Sequence, residues 1–153
     1  MANSVTTQIL ANTDRKLVIQ RVMYSDGTEE TKAVMVDISD SAYNSSGGKA
    51  MTGVAVEKIT ITNMPSGTLK VGWDSTNLYP FITCVGGSAA SSGPGMYNID
   101  YGSEWGGLTK DNITVDAGTG AGSGTPTGDI AITTNAFDSG EGYVVTLVMR
   151  KIF

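Results

Sequence analysis

The strongest constraint on the fold is the near-absence of helical periodicity. Apolar residues recur at every second position along most of the chain, and the i, i+3, i+4, i+7 spacing of an amphipathic helix hardly occurs. Alternation sends successive side chains to opposite faces of an extended strand, so one face can be buried while the other stays wet. The first clear run is Lys16 to Tyr24, with Leu17, Ile19 and Met23 on one face and Val18, Val22 and Tyr24 on the other. Ser25-Asp26-Gly27-Thr28 follows, an Asp-Gly signal that predicts a hairpin and a returning strand over residues 31–38. Residues 39–53, with Asn44-Ser45-Ser46-Gly47-Gly48, read as a loop. Further strands are expected over residues 54–63, 68–74 and 78–85, the first two joined by the turn Met64-Pro65-Ser66-Gly67. Trp73 is expected to anchor the core.

The later part of the chain differs in kind. Residues 86–126 hold the glycine clusters Gly86-Gly87-Ser88, Ser92-Gly93-Pro94-Gly95 and Gly118-Thr119-Gly120-Ala121-Gly122-Ser123-Gly124, with short strands expected near 96–101 and 112–116. A final pair, residues 128–134 and 142–152, is expected to close across Asp138-Ser139-Gly140-Glu141. In the last strand Val144, Val148 and Ile152 oppose Val145, Leu147 and Met149, and a strand apolar on both faces belongs in the middle of a sheet. Eight to ten short strands in 153 residues make a single-domain all-β protein. The expected architecture is a jelly-roll-like β-sandwich, with an up-and-down β-barrel as the alternative. Residues 1–14 are either an N-terminal arm or an edge strand, and residues 15–153 form the sandwich, with a glycine-rich loop region around 86–126.

Charge narrows the partners. Charged residues are 16% of the chain and the net charge is −5, with a pI near 4.5. Phosphate binding needs clustered Lys and Arg, so nucleic acid is not an expected partner. Residues 1–70 hold seven basic and seven acidic side chains, whereas residues 71–149 hold eight acids against Lys110 alone. Either this gives the molecule one docking side and one water-facing side, or it is a chance run of acidic loops. No apolar run reaches signal or membrane length, and the first eight residues carry no Lys or Arg. The expectation is a protein made in a cytoplasm, with no membrane partner.

The search for chemistry finds little. The chain has no histidine, which removes the usual general base, the common nucleophile–histidine pairs and the commonest metal ligand. The single cysteine, Cys84, lies in an apolar run and reads as a buried inert thiol. The glycine-rich segment 118–124 lacks the Gly-Lys-Ser/Thr ending of a phosphate loop and is not placed at a helix start. Asp100 and Glu104 lie close to Tyr97, Tyr101 and Trp105, a combination compatible with a sugar platform. The competing reading is a loop whose Trp105 fills a partner's pocket. Asp26-Gly27-Thr28-Glu29-Glu30 and Asp138-Ser139-Gly140-Glu141 offer oxygen ligands for calcium, but turn chemistry accounts for both. No enzyme, no cofactor and no metal site is expected.

The opening Met1-Ala2-Asn3-Ser4-Val5-Thr6-Thr7-Gln8 leads into Lys16-Leu17-Val18-Ile19-Gln20-Arg21, the Asp26-Gly27-Thr28 turn and Ala33-Val34-Met35-Val36-Asp37-Ile38-Ser39. Leu69-Lys70-Val71-Gly72-Trp73-Asp74, Thr127-Gly128-Asp129-Ile130 and Gly142-Tyr143-Val144-Val145-Thr146-Leu147 follow. Together these resemble the small β-rich virion proteins of tailed bacteriophages known as capsid decoration or cement proteins. The resemblance spans most of the chain and consists of strand patterns, with no catalytic signature. It implies a β-sandwich that assembles, often as a homotrimer, on the outside of the phage head and clamps neighbouring copies of the major capsid protein. Another virion role (tail, head fibre or minor capsid component) and a non-catalytic carbohydrate-binding module remain the alternatives.

Overall fold

The computed structural model describes residues 2–64, 67–85, 95–102, 106–112 and 124–153. Nine strands account for most of them: β1 (Ser4–Asn12), β2 (Lys16–Tyr24), β3 (Ala33–Val36), β4 (Gly53–Met64), β5 (Thr68–Trp73), β6 (Tyr79–Val85), β7 (Gly95–Asp100), β8 (Ile130–Asn135) and β9 (Gly142–Ile152). Two three-residue 3-10 turns, Ser41–Tyr43 and Lys110–Asn112, are the helical content among the described residues. Of the strand expected near 112–116, Asn112 belongs to the second of these turns and the rest lies outside the described residues.

The strands form two antiparallel sheets, ordered β1-β2-β9-β4-β7 and β3-β8-β5-β6. The architecture is therefore an all-β sandwich; two sheets, each with its own two edge strands, set the barrel alternative aside. The pairing is nested. β2 pairs with β9, β3 with β8, β4 with β7 and β5 with β6, as if one long antiparallel ribbon were wound across both sheets. β9 is the central strand of the larger sheet, in the place its two apolar faces called for.

Two expected hairpins are not hairpins. β2 and β3 belong to different sheets, as do β8 and β9, so the chain crosses the sandwich at both turns. The Asp-Gly turn itself forms, with Gly27 at φ 98° and the Asp26 carboxylate accepting from Thr28 N–H. Turn chemistry specifies a reversal of the chain but not the strand's next partner, and both flanks of β2 are occupied by β1 and β9.

A buried polar triad fixes the crossing. Arg21 lies in phase with Leu17, Ile19 and Met23 on the inner face of β2. Its Nη2 donates to Glu30 Oε1 at 2.6 Å, its Nε donates to the Tyr143 hydroxyl at 3.0 Å, and that hydroxyl donates to Glu30 Oε2 at 2.5 Å. The Glu30 backbone exchanges hydrogen bonds with Thr134 of β8, through N–H to Oγ1 at 2.8 Å and from Thr134 N–H to its carbonyl at 2.9 Å. One loop residue is thus tied to β2 and β9 of the larger sheet and to β8 of the smaller one. Burial, then Glu30, pushes the Tyr143 hydroxyl well above its usual range.

Around this triad the inner faces close a single apolar core. It includes Leu17, Ile19 and Met23 of β2, Ile59 and Ile61 of β4, Trp73 of β5, Ile130 and Ile132 of β8, and Val145, Leu147 and Met149 of β9. Gly72 lets β6 approach β5 at a register shift, where a Cβ would lie 2.1 Å from the Tyr79 carbonyl oxygen.

Breaking the triad by Glu30→Ala leaves Arg21 buried without its counter-charge, and should cost about 3–5 kcal/mol in urea denaturation. Tyr143→Phe should cost about 1–3 kcal/mol. An Ala variant at Glu30 within 1 kcal/mol of the parent, taken as an order-of-magnitude threshold, would show that the triad does not hold the crossing.

Candidate functional site

Of the candidate aromatic platform, Tyr97 and Tyr101 are among the described residues. Tyr97 and Tyr101 turn to the same side as Ile99, and both are half-buried against the core. The Tyr101 hydroxyl donates to the Phe81 carbonyl at 3.1 Å, and its ring meets the Phe81 ring edge-on at a centroid separation of 6.2 Å. The Tyr97 hydroxyl lies 3.5 Å from the Val85 carbonyl. Both tyrosines therefore bridge β7 to β6, strands of opposite sheets, at the side of the sandwich where β4 and β7 meet β5 and β6. The Asp100 carboxylate accepts from Gly102 N–H at 2.7 Å. Trp105 and Glu104 lie outside the described residues.

The acidic turns are occupied by local geometry. Besides the Asp26 bond, Glu141 Oε2 accepts from Asp138 N–H at 2.7 Å and Glu29 Oε1 accepts from Ala136 N–H at 3.1 Å. No group of three or more His, Cys, Asp or Glu side chains among the described residues is placed to share a metal ion. Cys84 is fully buried on β6, and burial pushes its thiol up to about 11.

What the structure does present is an open strand edge. β1 pairs with β2 from Ser4↔Tyr24 to Asn12↔Leu17, with a bulge at Leu10, and among the described residues no strand pairs with its other flank. The N-terminal segment thus supplies an edge strand, Ser4–Asn12, hydrogen-bonded at both ends. Asn3 Nδ2 donates to the Thr28 carbonyl, while Asn12 donates to the Ala42 carbonyl and accepts from Lys151 Nζ. Val5 and Ile9 lie opposite Met23 and Ile19, on the face that β2 buries completely. Yet Val5 is 40% exposed and Ile9 48%, and the bulged Leu10 is 52% exposed. The smaller sheet therefore stops short of β1, leaving an apolar ledge beside a free hydrogen-bonding edge.

Two of the other three edges differ: β3 has four residues, and β6 carries Pro80, which cannot donate to a neighbour. The remaining edge, β7, has six residues and ends on Asp100. β1 is nine residues long, about 30 Å at roughly 3.3 Å per residue, with no charged residue, proline or glycine from Ala2 to Thr13. Its sequence signal was weak because neither face is buried, so no clean alternation marks it. The absence of charge over twelve residues was the visible clue.

No protein-family model matches the chain, and neither curated proteins nor solved structures give a match.

The Cys84 thiol should resist a thiol-reactive probe in the native protein at neutral pH and react only on unfolding. The folded thiol holds its proton to about 11 against an ordinary value of 9.0, so the thiol's contribution to stability is complete below pH 9 and lost as pH rises toward 11. Urea titrations across that interval should show a steeper loss for the parent than for Cys84→Ala. Equal slopes would place the thiol in contact with water.

Proposed function

We propose that this chain is a structural virion protein, a decoration or cement protein that binds the outside of a phage head and stabilises neighbouring copies of the major capsid protein. The observation that carries the reading is the β1 edge, a nine-residue uncharged strand, interrupted by one bulge at Leu10, with an apolar ledge beside it. Soluble sandwiches ordinarily protect such an edge with Lys, Pro or a short strand, because it pairs with other chains. An edge left open is suited to β-augmentation, in which main-chain hydrogen bonds supply affinity and the flanking side chains supply specificity. Val5, Ile9 and Leu10 would then be buried against the capsid partner.

The strand pattern supports the same reading. The nested pairing of β2–β9, β3–β8, β4–β7 and β5–β6 is what a jelly-roll winding requires, the architecture expected from the sequence. The resemblance to decoration proteins also implies a homotrimer, a virion location on the capsid exterior, and adhesion in place of catalysis. A carbohydrate-binding role is the weaker reading, because Tyr97 and Tyr101 are engaged with β6.

A double variant, Ile9→Lys with Leu10→Lys, tests the docking edge. Both positions are exposed, so folding stability should stay within about 0.5 kcal/mol of the parent. Binding to particles lacking the protein should fall at least tenfold in a co-sedimentation assay, about 1.4 kcal/mol or more. Parent-like binding by the folded variant would remove β1 from the interface.

A further inference from the structure

Charge is separated along the β2–β9 pair. Where β2 ends and β9 begins, the loops at 25–30 and 136–141 carry Asp26, Glu29, Asp138 and Glu141, in addition to the buried Glu30, and neither loop contains Lys or Arg. The two loops are tied together: Ser25 N–H donates to the Glu141 carbonyl at 2.7 Å, and Gly140 N–H to the Ser25 carbonyl at 2.9 Å. The four carboxylates therefore occupy one end of the sandwich.

The opposite end is basic. The register sets Lys16 beside Arg150 at the foot of the same two strands, and Arg15 and Lys151 adjoin them. Across the nine residues of β2 the two ends lie roughly 27 Å apart. At the foot is a cleft of about 570 Å³ whose lining includes Arg15, Lys49, Arg150, Lys151 and Phe153, with Asp14 in its wall. Asp14, which accepts two hydrogen bonds from Ser46 at 2.7 Å each, and Glu57, which pairs with Lys16, lie on this side; the basic side chains Arg15, Lys16, Lys49, Arg150 and Lys151 outnumber them. Arg150 Nη2 donates to the Gly106 carbonyl at 2.8 Å. Arg15 and Lys49 are exposed, and neither forms an ion pair with a described residue.

We infer that this cleft is a docking site for a second copy of the chain, receiving the acidic loops of the next molecule head to tail. Three observations select that occupant. The signs are opposite, one end is concave while the other consists of projecting turns, and both features lie on the same strand pair. A twofold contact at either end would set like charges face to face, which electrostatic complementarity disfavours. The contact is therefore heterologous, joining unlike ends, and this is also the kind from which a threefold ring is built. The inference does not depend on the virion reading, because it rests on charge placement within one molecule.

Sedimentation analysis tests it. At about 20 mM salt the mass of the parent should exceed the 15.9 kDa monomer and rise with protein concentration, and at about 500 mM it should return to the monomer. Arg15→Glu with Lys49→Glu should abolish low-salt association. Glu29→Gln with Asp138→Asn should weaken it at least fivefold. Each variant still has one intact end, so an equimolar mixture should form a capped pair of twice the monomer mass that grows no further. Melting curves matching the parent establish that both variants are folded. A parent that stays monomeric at low salt, a basic-end variant that associates like the parent, or a mixture that stays monomeric would each overturn the inference.

Discussion

β9 is hydrogen-bonded on both sides along almost its whole length, to β2 on one flank and β4 on the other, and every other element is placed by that ladder. Its inward residues Tyr143, Val145, Leu147 and Met149 are essentially inaccessible to water, while Val144, Thr146 and Val148 on the outer face are half-buried. The packing reaches the backbone as well. At Gly142 a Cβ would sit 2.2 Å from the Met23 carbonyl oxygen, so the entrance of β9 tolerates no side chain. Pairing residues 16–24 with residues 142–150 joins segments far apart in sequence, so the central ladder cannot close until most of the sequence between them is in position. Closure of so long a loop is entropically expensive and favours slow, all-or-none folding.

Winding the ribbon across two sheets separates stability from adhesion. The core and the Arg21–Glu30–Tyr143 triad lie between the sheets and fix the crossings. The surfaces suited to partners lie outside that core, at the β1 edge and at the two ends of the β2–β9 pair. On the proposed reading, a substitution at Ile9 or Lys49 should act on association with little effect on folding, whereas one at Glu30 or Leu147 should act on folding first. This division fits an adhesive protein, whose surface can be adjusted without disturbing its frame.

Much of the frame was legible because alternation is a direct imprint of burial. β2 and β9 run over the residues that the pattern marked, Trp73 is wholly buried, and the doubly apolar last strand sits centrally. What alternation encodes, however, is a face and not a neighbour, so the sequence predicts hairpins where the chain crosses the sandwich, after Asp26-Gly27 and around 138–141. The same holds for charge, since a run of acids along the chain does not say which residues become neighbours. Nested pairing interleaves them, bringing Asp26 and Glu29 beside Asp138 and Glu141. β1 was hard to read because it buries neither face and a bulge at Leu10 interrupts its period. The triad did leave a trace: Arg21 falls in phase with Leu17, Ile19 and Met23, and a charge on a buried face needs a partner. The tyrosines carry an ambiguous signal, because aromatics near acids suit a sugar site and a sandwich edge equally well.

The virion reading turns on where the protein resides, and immunogold labelling of purified particles with a count of copies per virion tests it. A decoration protein gives label spread over the head at a copy number comparable to that of the capsid lattice positions. Label confined to the tail or a single vertex would contradict the cement role, and absence of the protein from particles would contradict the virion assignment itself.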